Sequence, residues 1–213
     1  MSGRITALKV QQHNPQRINV FLDGEFAFGL ERITAAWLKI GQELSDQKIA
    51  DLKNQDGLEA AYQKALHFLE HRPRSEYEIR RNLEKKGMTE EVITKTIERL
   101  RQSDLVNDEK FAQQWVENRS DFRPRSRKAL AIEMRQHGIS GELADKVLSG
   151  YEVNEEELAY QAALKQSRRL RNLERLDFRR KLSAYLARRG FGYDIIAPVV
   201  DRVWNEMNLE TMG

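Results

Sequence analysis

Apolar residues spaced four apart and closed by a glycine recur along this chain. Ile79, Leu83 and Gly87 form one set, Leu130, Met134 and Gly138 a second, and Leu182, Leu186 and Gly190 a third. This spacing puts the apolar side chains on one helix face, and the glycine supplies the left-handed residue that commonly ends a helix. The same tetrapeptide precedes the first two sets, as Arg72-Pro73-Arg74-Ser75 and Arg123-Pro124-Arg125-Ser126. In the third it is worn to Arg175-Leu176-Asp177-Phe178. Proline stops the helix before it, while serine caps the one after it, and Ser75 with Glu78 has the form of a capping box. After each glycine the pattern repeats again. Met88, Ile139 and Phe191 come first. Thr89, Ser140 and Gly192 stand at the next cap, and Val92 with Ile97, Leu143 with Leu148, and Ile195 with Val200 hold matching offsets. With the helix that leads into each tetrapeptide, every copy holds three helices. A period of about 50 residues with helical spacing predicts a tandem array.

Residues 4–30 follow another rule. Ile5, Leu8 and Val10 precede the turn-forming His13-Asn14-Pro15. Ile18-Asn19-Val20-Phe21-Leu22 and Phe26-Ala27-Phe28 then flank Asp23-Gly24. Asp-Gly between β-formers is a strong hairpin signal, because both turn residues must take positive φ. Two or three antiparallel strands are expected, packed on the helices that follow. Thr34 is expected to cap a short helix through Trp37-Leu38 that Gly41 ends. Ser45 caps another bearing Ile49 and Leu52, and Asn54 to Gly57 reads as the boundary before the array. A helix from Leu58 to Arg72 enters the first repeat. Asn107-Asp108 caps a helix whose Phe111, Trp115 and Val116 have core spacing, which makes Trp115 a core residue rather than a stacking platform. Asn154 with Glu157 starts a helix to about Leu170, and the last helix is expected to end near Trp204 and fray beyond it.

The predicted fold is therefore mainly α. Three tandem three-helix repeats form an elongated array behind a small N-terminal antiparallel β-hairpin or sheet module. The boundaries are 1–54 for the β module with short helices, 55–106 for repeat one, 107–153 for repeat two and 154–213 for repeat three.

Composition narrows the function. The 213 residues are 40% hydrophobic and 32% charged, which suits amphipathic helices. Cysteine is absent, which excludes disulfides and thiolate chemistry and fits a reducing cytosol. No apolar run approaches the roughly 20 residues of a membrane span, and the N-terminus lacks the basic start and apolar core of a signal peptide. A cytoplasmic protein is expected. The net charge is only +3, yet ten basic and two acidic residues lie between Lys165 and Arg189. Such a block suits a polyanion or an acidic partner surface.

Catalytic patterns are sparse. No phosphate loop, dinucleotide fingerprint or nucleophile elbow occurs. His67-Phe68-Leu69-Glu70-His71 does match His-x-x-Glu-His, whose two imidazoles could share one zinc. Against zinc, His71 falls where the helix should fail before Pro73, no third ligand is evident, and the other repeats lack the histidines. The expectation is no enzyme, no metal and no cofactor. His137 in a last helical turn favours the helix dipole and needs no further role.

The run Leu69-Glu70-His71-Arg72-Pro73-Arg74-Ser75-Glu76-Tyr77-Glu78-Ile79-Arg80-Arg81 closely resembles the RecX family. So do the Lys86-Gly87 turn and Leu105-Val106-Asn107-Asp108-Glu109-Lys110-Phe111-Ala112-Gln113-Gln114-Trp115-Val116. Asn19-Val20-Phe21-Leu22-Asp23-Gly24-Glu25-Phe26 is similar to the N-terminal extension of longer members. The resemblance covers essentially the whole chain and is weakest in the third repeat. It implies tandem three-helix repeats and a regulator that lodges in the groove of RecA filaments on single-stranded DNA, restraining ATP hydrolysis and strand exchange in recombinational repair and the SOS response. A monomeric, non-enzymatic modulator is the implied reading, touching single- or double-stranded DNA weakly or through the filament. Each repeat could contact weakly, because contacts after the first are intramolecular. The basic residues expected at the interface are Arg72, Arg74, Arg80, Arg81, Lys85 and Lys86 in repeat one. In repeat two they are Arg123, Arg125, Arg127 and Lys128. In repeat three they are Arg168, Arg169, Arg171, Arg175, Arg179 and Arg180, with Arg171, Arg175 and Arg179 forming a stripe if one helix spans them. The other reading is a helical-repeat protein that binds DNA directly through the same basic face.

Overall fold

Alternation of apolar and polar residues builds the N-terminal sheet from β1 (Gly3–Gln11), β2 (Asn14–Leu22) and β3 (Glu25–Glu31). The structure, a computed structural model, describes residues 2–151 and 154–212, without the side chains of 208–212. Asp23 and Gly24 both have positive φ, 49° and 94°, as the Asp-Gly hairpin requires. The sheet has four strands rather than two or three, in the order β3-β2-β1-β4, all neighbours antiparallel. The added β4 (Glu43–Leu44) is too short to show any alternation. The Gly41 N–H donates to Ile5 O at 2.8 Å and Ile5 N–H to Gln42 O at 2.9 Å, and Leu44 is buried.

The short α1 (Arg32–Ala35) begins two residues before Thr34, after Glu31 and without a side-chain cap. Thr34 is therefore not a cap. Its hydroxyl is buried and has no hydrogen-bond partner among the described residues. Gly41 takes φ 90° at the turn that follows.

The separate helices expected before and after the Asn54–Gly57 boundary are a single helix. One helix, α2 (Asp46–Leu69), runs through it from the Ser45 cap. Its first half, with Ile49 and Leu52, joins the core under the sheet, and its second half, with Ala61 and Ala65, joins the first repeat. Between them, the buried Asp56 accepts the Glu31 N–H and pairs with Arg17 at 3.1 Å. These tertiary contacts outweigh the roughly 1 kcal/mol that Gly57 costs a helix interior.

Among the described residues, nine helices follow the expected cadence: α2 with α3 (Glu76–Lys85) and α4 (Glu90–Gln102), then α5 (Asp108–Phe122), α6 (Arg127–Gln136) and α7 (Gly141–Gly150), then α8 (Glu155–Ser167), α9 (Arg175–Ala187) and α10 (Tyr193–Met212). Each triplet has its own apolar cluster, centred on Ile79 and Leu83, on Leu130 and Met134, and on Leu182 and Leu186. Helix α8 stops at Ser167, short of Leu170, and α10 continues past Trp204 to Met212. The chain divides into two compact units at Val106/Asn107. The expected end of repeat two at Val153 lies outside the described residues.

The glycine punctuation acts as the pattern requires. Gly87, Gly138 and Gly190 take φ of 75°, 80° and 91°. The next residue returns to the helix, with Met88 N–H to Leu83 O at 3.2 Å and Ile139 N–H to Met134 O at 3.0 Å. These bonds are those of a Schellman turn, whose accompanying apolar contact explains why Met88, Ile139 and Phe191 recur after glycine.

Candidate partner interface

The two Arg-Pro-Arg-Ser copies begin their helices alike. The Ser75 hydroxyl accepts the Glu78 N–H and completes a capping box, and the Ser126 hydroxyl accepts the Ala129 N–H at 3.2 Å. Their arginines are used differently. In the first copy Arg72 pairs with Glu78 at 2.5 Å, and Arg74 lies over the Phe68 ring at 4.0 Å and 3.6 Å from the same carboxylate. Burial, helped by the Arg72 charge, lowers the Arg74 pKa. In the second copy Arg125 pairs with Glu133 at 2.8 Å. Arg127 Nη2 donates to Leu148 O at 2.8 Å, and its backbone N–H donates to Glu155 at 2.7 Å. Glu133 also holds Arg119 at 2.8 Å and accepts the Trp115 Nε1–H at 2.9 Å, while only 12% exposed itself. Trp115, stacked on Phe111 and half-buried, is a core residue as its spacing predicts. Glu78 thus gathers both arginines of its tetrapeptide, whereas Glu133 takes Arg125 together with Arg119 from α5, an arrangement invisible in sequence because the two carboxylates stand at different offsets from their serines.

The third copy departs furthest. Phe178 occupies the register position of the capping serine, fully buried against Trp204 at 5.0 Å, and α9 starts earlier, at Arg175, without a side-chain cap. No helix spans 171–179, so the expected stripe does not form. Arg171 lies in the turn between α8 and α9, and only Arg175 and Arg179 share a helix. Arg179 pairs with Asp201 at 3.5 Å and Arg180 with Asp177 at 2.9 Å.

The expected interface residues therefore sort by partner. Arg72, Arg74, Arg80 (with Glu90), Arg125, Arg127, Arg179 and Arg180 are engaged within the chain. Arg81 leans on Tyr77. Lys85, Lys86, Arg123, Lys128, Arg168, Arg169, Arg171 and Arg175 are exposed and have no acidic partner among the described residues. Three of these, Arg168, Arg169 and Arg171, crowd one turn. Arg188 and Arg189 belong to the same basic block, outside the tetrapeptide and stripe patterns. Arg188 is exposed and lines a cleft of about 550 Å³ with Lys128 and Arg125. Arg189 Nη1 donates to Pro124 O at 2.9 Å, and its carbonyl accepts the Ser126 N–H at 3.1 Å, docking the second tetrapeptide on the third repeat's glycine turn.

The two histidines of the zinc-like pattern lie edge to face at 5.7 Å, and His67 Nδ1 sits 2.9 Å from Glu70. Helix α2 ends at Leu69, before His71. Among the described residues no group of three His, Asp or Glu is placed to hold a metal ion, and no helix is long and apolar enough to cross a membrane.

Four family descriptions match the chain in order: "Regulatory protein RecX N-terminal domain" over residues 3–45, then the RecX first, second and third three-helix domains over 61–100, 107–148 and 154–200. A regulatory protein RecX of Clostridium botulinum is 31% identical over 208 residues, covering 95% of this chain and 97% of the relative. The chain belongs to the RecX family. The RecX of Bacillus subtilis is 28% identical over 210 residues, 97% of this chain and 80% of that one. A crystal structure of a regulatory protein RecX superposes with TM-score 0.69 at 26% identity, covering 93% of this chain and 99% of the other. RecX of Lactobacillus salivarius shares the fold, with TM-score 0.59. The third helical triplet, the least legible in sequence, is thus a RecX domain like the others.

Proposed function

We propose that this chain is a non-enzymatic, cytoplasmic regulator that binds RecA filaments on single-stranded DNA and restrains their ATP hydrolysis and strand exchange. Membership of a family of regulatory proteins along nearly the whole chain supports a protein partner. The observation that carries the reading is the Arg168-Arg169-Leu170-Arg171 turn with Arg175, where four guanidiniums stay exposed and have no acidic partner among the described residues. Arginine is suited to carboxylates on a protein and to phosphates on a nucleic acid. The test is RecA ATPase on single-stranded DNA with the full chain titrated in at substoichiometric amounts. Inhibition well below one molecule per RecA supports the reading. No effect from a folded protein overturns it, and tight binding to RecA-free DNA at physiological salt would replace it with direct DNA binding.

A further inference from the structure

Asp-Gly occurs twice in this chain, as Asp23-Gly24 and Asp56-Gly57, and Asn-Gly does not occur. Such a pair is chemically weak. Glycine has no side chain to shield its amide nitrogen, which can attack the side-chain carbon of the preceding aspartate and close a five-membered succinimide ring. The fold treats the two pairs oppositely. Asp56 is buried inside α2, where the Gly57 N–H belongs to the helix ladder. Its carboxylate is held by Arg17 at 3.1 Å and by the Glu31 N–H. Asp23 and Gly24 are exposed at the β2–β3 turn, and Asp23 is one of two non-glycine residues with positive φ among those described.

Strand β1 reaches this turn at three points. Its pairing with β2 slips between Ile5 and Ala7, a bulge that leaves Thr6 without a ladder partner and re-aims its side chain. The Thr6 hydroxyl donates to Phe21 O at 3.3 Å and accepts the Gly24 N–H at 2.9 Å. The Asp23 N–H donates to Arg4 O at 2.9 Å, and Asp23 Oδ1 accepts the Arg4 N–H at 3.1 Å. Gly3 leaves room for this carboxylate, since a Cβ there would lie 2.4 Å from Asp23 Oδ2. Both groups that ring closure must join, the Gly24 nitrogen and the Asp23 carboxyl, are therefore tied to β1.

We propose that Asp23-Gly24 is this chain's site of spontaneous isoaspartate formation, and that the Thr6 hydroxyl guards it. When β1 lets go of the turn, the Gly24 nitrogen bonds to Asp23 Cγ. A carboxyl oxygen leaves as water, taking the amide proton with it. One water then reopens the ring. Opening at Cγ restores aspartate. Opening at the Asp23 main-chain carbonyl leaves isoaspartate, whose main chain runs through the former side chain and is one carbon longer. Nothing but water takes part. The two-residue loop sets the β2–β3 register, so the lengthened turn cannot keep it, and ageing of the protein begins at the N-terminal sheet.

The test is incubation of the full chain in heavy-oxygen water at neutral pH, then digestion in ordinary water and mass spectrometry of the peptides carrying Asp23 and Asp56. Each ring that reopens leaves one heavy oxygen on its aspartate, whichever product forms. Unfolded in urea, both pairs should take up label at similar rates. In the folded chain Asp23 should label more slowly than in urea, and Asp56 should stay unlabelled over the same period. Thr6→Val should speed labelling of folded Asp23 roughly fivefold, the equilibrium worth of one ordinary hydrogen bond. Thr6→Ser keeps the hydroxyl and should restore the natural rate. A natural rate in Thr6→Val would overturn the guard. Folded Asp23 labelling no faster than Asp56 would overturn the site, and this comparison, made in the natural chain, decides it even if Thr6→Val fails to fold.

Discussion

At the scale of single residues, charges are the informative groups, because sequence shows where they are and not what they meet. Glu59 is buried on α2, and burial alone would raise its pKa. Hydrogen bonds from Arg99 at 2.6 Å and Gln63 at 2.8 Å, with the Arg99 charge, outweigh this and hold it below the ordinary carboxylate value. Arg99 also stacks on Tyr62 at 3.7 Å, so the pair ties α4 to α2. A depressed folded pKa means that the unfolded chain takes the proton more readily. The stabilisation is therefore complete above the unfolded value of about 4.3 and is lost as pH falls from there through the folded value. Urea unfolding should show stability falling more steeply between about pH 5 and pH 3 in the natural chain than in Glu59→Gln, which has no proton to take up. Parallel slopes would mean that the Arg99 contact contributes nothing.

At the scale of elements, the sequence was most legible where one local rule acts alone. The Asp23-Gly24 hairpin, the Ser45, Ser75, Ser126 and Ser140 caps and the three glycine turns follow from residue type and spacing. Reading failed where a distant contact outvoted a local preference. The two helices expected on either side of Gly57 run as one, held by Asp56, Ala61 and Ala65, and Phe178 displaced a capping serine by filling a core. The two-residue β4 and the differing carboxylate partners of the arginines leave no periodic trace at all. Two glycine comparisons test this. Gly57 is helical with nothing within 4 Å of a built Cβ, so Gly57→Ala should raise stability by roughly 0.5–1 kcal/mol. Gly87 and Gly190 both sit at positive φ, yet Gly87 faces open space, whereas a Cβ at Gly190 would come within 2.5 Å of Ser126 Oγ and 2.8 Å of Ala129 Cβ. Gly87→Ala should cost about 1–2 kcal/mol from the backbone alone. Gly190→Ala should cost a further 1–3 kcal/mol or so from overpacking against α6. Equal losses on thermal melting would show that the tetrapeptide and the glycine turn are not in close contact.

At the scale of the whole molecule, the basic residues divide between those that hold the fold and those left for a partner, and that division makes the proposed function testable. Glu133 gathers Arg119, Arg125 and the Trp115 N–H in a largely dry setting. Glu133→Ala strands all three donors and should cost about 1–3 kcal/mol, while the protein that remains folded should restrain RecA as before. Arg168, Arg169 and Arg171 hold nothing within the described chain. Reversing all three to glutamate should leave the melting midpoint nearly unchanged, since surface substitutions of this kind stay within about 0.5 kcal/mol. It should nevertheless weaken inhibition of RecA ATPase by roughly tenfold or more, because like charges set against each other at an interface cost several kcal/mol. Raising the salt should weaken the natural chain's inhibition towards that of the variant, because exposed charge pairs are screened over about 8–10 Å. Full inhibition by the folded triple variant would remove the basic turn from the interface. The partner surface would then have to be sought among other exposed cations of the helical triplets, such as Lys85, Arg123, Lys128, Arg175 and Arg188.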